Sequence, residues 1–203
     1  GAFQFALLEN RASDLDTDGD VDTVFPKVEA RWGMGFDWFS FNLMGGFQYY
    51  SITDATKGTG TEDIDVTSYI LAADATANFG PFYVKAGGNY GINNRVADWL
   101  PGVNDPVTNL NGDLKVVQTM GVVGVVGFKL TDMVTFEGGV SYVHEESSAN
   151  SMPDDDDQIR YYIQSVLQMA PGVFFIPEFT YVDKKKDIMD VDEGSQWALG
   201  GKW

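Results

Sequence analysis

The sequence predicts an all-β protein: a transmembrane antiparallel up-and-down β-barrel. Three observations support this fold class. Apolar and polar residues alternate along most of the 203-residue chain. The strands are long enough to cross the apolar layer of a membrane, and the connections between them are short and long in turn. A spanning helix is not predicted, because the longest apolar run covers only residues 120–128.

Alternation at period two is clearest between residues 24 and 50. Successive side chains of an extended strand point to opposite faces. In the second half of this stretch, the apolar row is Phe39, Phe41, Leu43, Gly45, Phe47 and Tyr49, and the other row is Ser40, Asn42, Met44, Gly46 and Gln48. In the first half, the apolar row is Val24, Pro26, Val28, Ala30 and Trp32, and the other row carries Lys27, Glu29 and Arg31. Each predicted strand therefore has one apolar and one polar face.

The spacing of aromatic residues matches the thickness of a membrane. Phe39 and Tyr49 lie ten residues apart on one row, and Tyr69 and Phe79 repeat that spacing in the opposite order. Ten residues of strand span about 33 Å. With a strand tilt of about 40°, their vertical separation is about 25 Å, the height of the apolar band between the two aromatic girdles of a membrane barrel.

Turn residues and polar segments divide the chain into ten predicted strands. Their ranges are 2–8, 24–32, 36–52, 64–79, 82–93, 114–130, 134–143, 159–169, 173–183 and 195–203. Tight connections at 33–35, 80–81, 131–133 and 170–172 alternate with connections of about ten residues or more. One end of the predicted barrel therefore has short turns, and the other end has long loops. The face of 114–130 stays ambiguous, because VVGVVG is apolar on both rows.

The net charge of −17 is concentrated in the long connections. Residues 9–22, 53–65, 95–113, 144–157 and 183–193 hold 24 of the 30 acidic residues and carry a net charge of −18, whereas the rest of the chain carries +1. The predicted walls are thus nearly neutral. This acidity argues against a nucleic-acid partner, because a polyanion would be repelled. Cysteine is absent, which excludes disulfides and thiolate metal sites.

Three strand–turn–strand units carry a family resemblance: GFKLTDMVTFEGGVSYV, NFGPFYVKAGGNYG and PGVFFIPEFTYVD. They resemble the carboxy-terminal half of bacterial outer-membrane porins. The resemblance implies a water-filled channel for passive diffusion of ions and small polar solutes, in the outer membrane of a Gram-negative bacterium. It also implies a homotrimer surrounded by lipid and lipopolysaccharide. Neither enzymatic activity nor a cofactor is expected.

The chain is short for that family. Porins of this kind have about 16 strands. We therefore expect residues 1–203 to be a single β-barrel domain that is incomplete at its N-terminus. Related chains run a few residues further to a final Phe, so we also expect it to be a few residues short at its C-terminus, where the family usually ends on an aromatic residue. Trp203 is in phase with Trp197 and Leu199 and could be that residue.

The polar rows are the predicted functional surface, because polar rings of this kind line aqueous pores. Small residues on the same rows favour a water-filled lumen over a barrel packed by its own side chains: Ser40, Gly46, Gly87, Gly91 and Gly139. The sequence leaves open whether the loop 95–112 folds into the pore. The predicted lining residues are Lys27, Glu29, Arg31, Asn42, Gln48, Lys85, Asn89, Arg160, Gln164, Glu178, Thr180 and Lys202.

A second hypothesis is an outer-membrane barrel enzyme of the omptin type. Some outer-membrane proteases are ten-strand barrels with an acid and a histidine at the outer rim. The chain has one histidine, His144, which precedes Glu145 and Glu146. Spacing fixes no nucleophile or partner for it, so a solvated loop histidine is the favoured interpretation.

A third hypothesis is a secreted calcium-binding β-sandwich. Alternate acidic residues around Gly19 match the start of a calcium loop. They are Asp14, Asp16, Asp18, Asp20 and Asp22. The twelfth position should hold a bidentate Glu but is Phe25, so a solvated acidic loop is favoured and only weakly bound calcium is predicted. A protein that stays folded and monodisperse without detergent would support this hypothesis against the other two.

The charge distribution predicts modest cation selectivity that depends on salt. At about 0.01 M salt the Debye length is near 30 Å, so the acidic loops act across the mouth of the pore; at about 1 M it is near 3 Å, and only lining residues act. Changing Asp154–Asp157 to Asn should reduce the selectivity in dilute salt and leave the conductance in concentrated salt unchanged. Reversal potentials across a planar bilayer measure this, and strong anion selectivity in dilute salt would contradict it.

Overall fold

The computed structural model describes residues 1–10, 12, 15, 19–23, 25–57, 60–100, 106–108, 114–147, 154–185 and 194–203. Strands and turns account for the regular structure in these ranges. No helix among these residues is long and apolar enough to cross a membrane.

Thirteen strands are present in the described ranges. In chain order they are β1 Ala2–Leu8, β2 Asp20–Asp22, β3 Lys27–Gly35, β4 Phe39–Lys57, β5 Gly60–Phe79, β6 Phe82–Ile92, β7 Val107–Thr108, β8 Leu114–Lys115, β9 Val117–Thr131, β10 Val134–Ser147, β11 Asp154–Ala170, β12 Val173–Lys184 and β13 Ser195–Lys202. Ten of them are long and form one antiparallel sheet in the order β1-β3-β4-β5-β6-β9-β10-β11-β12-β13. β2 pairs with β4, and β7 pairs with β8 in a separate two-stranded sheet.

The topology confirms the predicted all-β, up-and-down fold. Every long strand pairs with the long strand before and after it in the chain. A Greek-key sandwich would require strands that cross between two sheets, so the sandwich hypothesis is wrong. Among the described residues no pairing joins β1 to β13, and the sheet is open between these two edges.

The strand register places the predicted rows on two faces of the sheet. Residues directly opposite each other in an antiparallel pair share a face. Leu43 pairs with Trp32 and with Ala73, whereas Gly46 pairs with Glu29 and Ile70. We call the side that carries Phe41, Leu43 and Phe47 the apolar face, and the side that carries Lys27, Glu29 and Arg31 the polar face.

Large hydrophobic side chains cover the apolar face and are open to the surroundings. Leu71 is 62% exposed, Ile163 60% and Leu199 74%. The buried residues of the sheet lie instead on the polar face, among them Tyr50, Ile52 and Val66 at 0%. A continuous apolar surface of this size is not stable in water and suits contact with lipid.

Aromatic residues form a band at each end of the apolar face. Ring contacts at the tight-turn end are Trp38–Phe79 at 6.2 Å and Phe82–Phe128 at 4.8 Å. Ring contacts at the long-loop end are Tyr69–Tyr90 at 6.3 Å and Tyr161–Tyr181 at 6.4 Å. The first band is rich in Phe and Trp and the second in Tyr. This arrangement agrees with the predicted spacing of Tyr69 and Phe79.

Tyrosine hydroxyls at the long-loop end bond to polar neighbours on the apolar face. Tyr90 donates to Gln118 Oε1 at 3.0 Å, and Tyr142 donates to Asp157 Oδ1 at 2.7 Å. An aromatic ring with a bonded hydroxyl suits the boundary between hydrocarbon and water. The tyrosine band therefore marks where the apolar face ends.

The first tight turn lies three residues later than predicted. The strand β3 continues through Gly33 and Gly35, and the turn is residues 36–38, closed by a 2.6 Å bond from Phe36 N to Phe39 O. The physical reason is the row parity. The apolar residues have even numbers in β3 and odd numbers in β4, so a turn centred on Met34 would put the apolar row of one strand beside the polar row of the other.

Several strands extend further into the polar connections than predicted. β4 and β5 reach Lys57 and Gly60, and β10 and β11 reach Ser147 and Asp154. These extensions carry polar residues on both faces, such as the directly paired His144 and Asp157. Period-two alternation cannot detect a strand that has water on both sides.

The ambiguous strand 114–130 is divided by the structure. Leu114–Lys115 belongs to the small sheet as β8, and the main strand β9 begins at Val117. Within β9, Val122 pairs with Gly88 on the apolar face, and Val123 pairs with Gly87 on the polar face. Pairing with neighbours of known face therefore assigns the rows that the apolar sequence could not.

A buried carboxylate organises the polar face near the tight turns. Glu137 is 8% exposed. Its Oε2 accepts bonds from Tyr83 Oη at 2.7 Å and Lys85 Nζ at 3.0 Å, and its Oε1 accepts bonds from Tyr162 Oη and Gln164 Nε2, both at 2.8 Å. Four donors compensate for its removal from water.

Close approach at a glycine makes this network possible. The ring of Tyr83 lies where a Cβ on Gly127 would stand. We expect Gly127→Ala to displace the ring from Glu137 and to lower the free energy of unfolding by about 1–3 kcal/mol. Gly124→Ala is the matched control on β9, because nothing lies within 4 Å of its Cβ position. Denaturant unfolding in detergent measures both, and equal stability of the two variants would contradict the role of Gly127.

Candidate functional site: the polar face of the sheet

All of the predicted lining residues lie on the polar face. The register assigns each to the same side as Glu29, through directly paired neighbours on successive strands. The same holds across the last four strands. These residues are Lys27, Glu29, Arg31, Asn42, Gln48, Lys85, Asn89, Arg160, Gln164, Glu178, Thr180 and Lys202.

Residues 93–100, which we call the inner segment, lie against this face. The indole of Trp99 occupies the space beside Gly46 that a Cβ there would fill. Trp99 Nε1 donates to Glu29 Oε1 at 2.8 Å, and Lys27 Nζ donates to the carbonyl of Ala97 at 3.0 Å. Gly46 is three residues from Tyr49, so the segment extends about 10 Å along the strand from the tyrosine band towards the tight turns.

Local turns direct the inner segment back onto the sheet. Asn93 has a positive φ of 51° and donates from Nδ2 to the carbonyl of Thr67 at 2.9 Å. Its Oδ1 accepts a 3.0 Å bond from Val117 N. Asparagine tolerates this conformation better than most residues, because its short side chain bonds to nearby backbone. Asn93 thus ends β6 and connects the start of the segment to β5 and β9.

A small hydrophobic core holds the outer part of the segment. Val96 is 8% exposed and packs with Tyr50, Ile52, Ile64 and Val66. These four residues lie on the polar face beyond the membrane-spanning part of β4 and β5. Burial of Val96 there contributes about 1.5–3 kcal/mol to keeping the segment on the sheet.

The charged side chains of the face are mostly paired with opposite charges. Lys27 Nζ lies 3.4 Å from Glu29 Oε1, and Lys202 Nζ lies 3.1 Å from Glu178 Oε2. Lys85 is bonded to the buried carboxylate described above. This pairing agrees with the near-neutral charge of the walls in the sequence.

Arg31, like Arg160, has its described side-chain bond to a neutral amide. Its Nε and Nη2 donate to Asn42 Oδ1 at 3.2 and 2.7 Å, and Asn42 Nδ2 donates to Asp74 Oδ1 at 2.8 Å. Asn42 thereby links a cation and an anion that do not touch. Arg31 remains exposed, with its charge available to a solute.

The sequence leaves open whether the loop 95–112 folds into the pore, and the structure places its residues 95–100 against the polar face. In the sequence, Gly46 and Gly139 favour an open lumen, but in the structure Trp99 covers the first and Tyr162 the second. A small residue on the polar row makes room for a ring as readily as for water. The available signal was Trp99 itself, a single tryptophan within the polar segment RVADWLPG.

His144 lies on the apolar face and not on the polar face. It pairs with Met120 and Asp157, and its Nδ1 is 2.7 Å from Asp157 Oδ1. The histidine and the lining residues are therefore on opposite sides of the sheet. This placement gives His144 no access to a solute held at the polar face.

The predicted calcium loop falls largely outside the described residues. Asp14, Asp16 and Asp18 lie there, whereas Asp20 and Asp22 belong to β2, which pairs with β4. Across the described residues, no group of three or more His, Asp or Glu side chains could hold a metal ion. The weak calcium site stays a prediction.

A cavity of about 600 Å³ lies where the inner segment meets the sheet. Its lining includes Glu29, Arg31, Met44, Ile70 and Trp99. The volume falls within the range of small-molecule sites. The cavity thus combines two charged side chains with apolar and aromatic surface.

Comparison with known proteins supports the fold. No protein-family model matches the sequence, and no curated protein sequence matches it. The outer membrane channel DcaP of Acinetobacter baumannii is similar in structure over 98% of this chain and 56% of its own, with a TM-score of 0.68 and 13% identity. OmpT of Vibrio cholerae, expressed in the outer membrane, is similar over 87% of this chain and 55% of its own, with a TM-score of 0.57 and 17% identity.

The chain therefore spans just over half of the length of each solved structure that it matches. At these identities the likeness concerns the fold alone. The one-sheet topology, the exposed apolar face and the two aromatic bands agree with it. The chain has the fold of outer-membrane β-barrels.

Proposed function

We propose that this chain forms part of the wall of an outer-membrane channel through which ions and small polar solutes diffuse passively. The observation that carries the proposal is the inner segment. It lies across the polar face of a sheet whose other face is an exposed apolar surface. Such a segment narrows a water-filled path at the height of the membrane, where the lining charges decide what passes.

The lining chemistry supports passage without turnover. The polar face presents paired charges and amides around the inner segment, and the one histidine is on the opposite side of the sheet. Weak and distributed contacts let a solute enter and leave. The similarity to the outer membrane channel DcaP favours a channel over an enzyme.

The surroundings that we propose follow from the apolar face. Lipid covers the exposed hydrophobic residues between the bands, and lipopolysaccharide of a Gram-negative outer membrane contacts the tyrosine band. We also propose a homotrimer of the whole protein, on the porin resemblance of the sequence. Nucleic acid is not a proposed partner, because the net charge is −17.

Releasing the inner segment tests the function. Trp99→Ala removes the bond to Glu29 and the ring beside Gly46, which should destabilise the inward position by about 2 kcal/mol. We expect a higher single-channel conductance in planar bilayers. Trp38→Ala is the matched control, because Trp38 is 58% exposed in the band at the tight-turn end. Absence of any conductance from the parent protein would contradict the channel, and equal conductance of Trp99→Ala and parent would contradict constriction by the segment.

Replacement of His144 separates the channel from an enzyme. His144→Ala removes a half-exposed bond to Asp157, which costs less than about 1 kcal/mol. We expect its conductance to equal that of the parent protein, and peptidase and lipase assays to give the same result for both. A hydrolytic activity that disappears in His144→Ala would contradict the proposed function.

A further inference from the structure

The cavity beside the inner segment has one acidic and one basic side chain on the same strand. Glu29 and Arg31 both line it. They are two residues apart on the polar face of β3, so their backbone positions are about 7 Å apart. A molecule that carries both charges a few bonds apart can reach the two side chains at once.

Both side chains keep bonding capacity for such a molecule. The described bonds of Glu29 are made by one oxygen, Oε1, which accepts from Trp99 Nε1 at 2.8 Å and lies 3.4 Å from Lys27 Nζ. Arg31 uses Nε and Nη2 on a neutral acceptor, Asn42 Oδ1. Glu29 Oε2 and Arg31 Nη1 can therefore form charge-assisted bonds with a solute.

Lys27 does not add a second positive charge to this site. It is 7% exposed, and its Nζ is bonded to the carbonyl of Ala97 and lies beside Glu29. The accessible charge at the cavity is thus one carboxylate and one guanidinium. A solute with a single charge would form a charge-assisted bond with only one of these two side chains.

Apart from the neutral amides Gln4 and Asn89, the side chains in the rest of the lining are apolar or aromatic. Met44, Ile70 and Ala72 contribute the sheet side of the cavity, and Trp99 and Leu100 contribute the side of the inner segment. An indole and a thioether offer favourable contact to a flat ring or a branched alkyl group. The site therefore suits a solute that has an apolar part as well as charged groups.

We propose that this cavity is a subsite for zwitterions with an apolar body, of which α-amino acids with aromatic or branched side chains are the simplest class. Glu29 accepts bonds from the ammonium group, and Arg31 donates to the carboxylate. The side chain of the solute packs against Trp99, Met44 and Ile70. The subsite rests on the proposed channel function and names the solutes that the channel favours.

Three matched ligands test the subsite on the full chain. L-phenylalanine carries both charges, 3-phenylpropanoate only the carboxylate and 2-phenylethylamine only the ammonium group. We expect L-phenylalanine to bind about tenfold more tightly than either analogue, because each lacks one charge-assisted bond. Calorimetric titration in detergent micelles measures the binding. Transient blocks of the ionic current in planar bilayers report it independently.

Two substitutions assign the charges. Glu29→Gln should weaken the binding of L-phenylalanine about tenfold and leave the binding of 3-phenylpropanoate unchanged. Arg31→Gln should weaken the binding of both of these ligands and leave the binding of 2-phenylethylamine unchanged. Asp132→Asn, in the turn between β9 and β10, is the control that leaves all three ligands unaffected. The ligand series on the parent protein keeps the test valid if a variant fails to fold.

The two proposals fail in different ways. A protein that conducts ions but binds the three ligands equally overturns the subsite and leaves the channel standing. A protein that prefers L-phenylalanine in micelles but never conducts overturns the channel and leaves the subsite standing. Tighter binding of 3-phenylpropanoate than of L-phenylalanine would show that Arg31 acts alone and would also overturn the subsite.

Discussion

Backbone hydrogen bonding in hydrocarbon is the constraint on which this structure depends. A chain that crosses a membrane finds no water to bond its N–H and C=O groups, so the groups must bond to one another. Here each long strand meets this requirement through its neighbours in the chain. The period of two then follows, because a strand bonded on both edges has only two faces left for its side chains. One face meets lipid, and the charged side chains at membrane height are directed to the other.

Most of the charged side chains on the polar face are paired with a side chain of opposite charge. Glu137 accepts hydrogen bonds from four side chains, and Glu178 accepts one from Lys202. Lys27 lies between Glu29 and the inner segment. These charged residues also position neighbouring groups: Glu137 holds the ring of Tyr83, and Lys27 holds the carbonyl of Ala97. Arg31 and Arg160 are exposed, and their described side-chain bonds are to the neutral amides of Asn42 and Gln158. A charged group without a described ionic partner on such a face is available for passing solutes.

The sequence predicted most of the sheet and little of the inner segment that lies on its polar face. Alternation located all ten long strands, because a strand with one apolar and one polar face has an apolar residue at every second position. It gave no signal in the extensions of β10 and β11, which are polar on both faces, or in VVGVVG, which is apolar on both faces. The rows of β3 and β4 exclude a turn centred on Met34, because such a turn would pair an apolar row with a polar row, but they do not select residues 36–38. The inner segment could not be predicted in this way. Its position depends on Asn93, Val96 and Trp99 meeting residues distant in the chain.

The strict alternation of short and long connections also sets an order of assembly. Closing a hairpin through the two-residue turn at 80–81 costs less chain entropy than pairing β6 with β9 across residues 93–116, by about 2 kcal/mol. Hairpins with tight turns should therefore form first and join to one another afterwards. We expect four such hairpins to enter the bilayer as units: β3 with β4, β5 with β6, β9 with β10 and β11 with β12. The inner segment contacts Glu29 on β3, Gly46 on β4 and Val66 on β5, so it can settle on the polar face only after the first two of these units have paired.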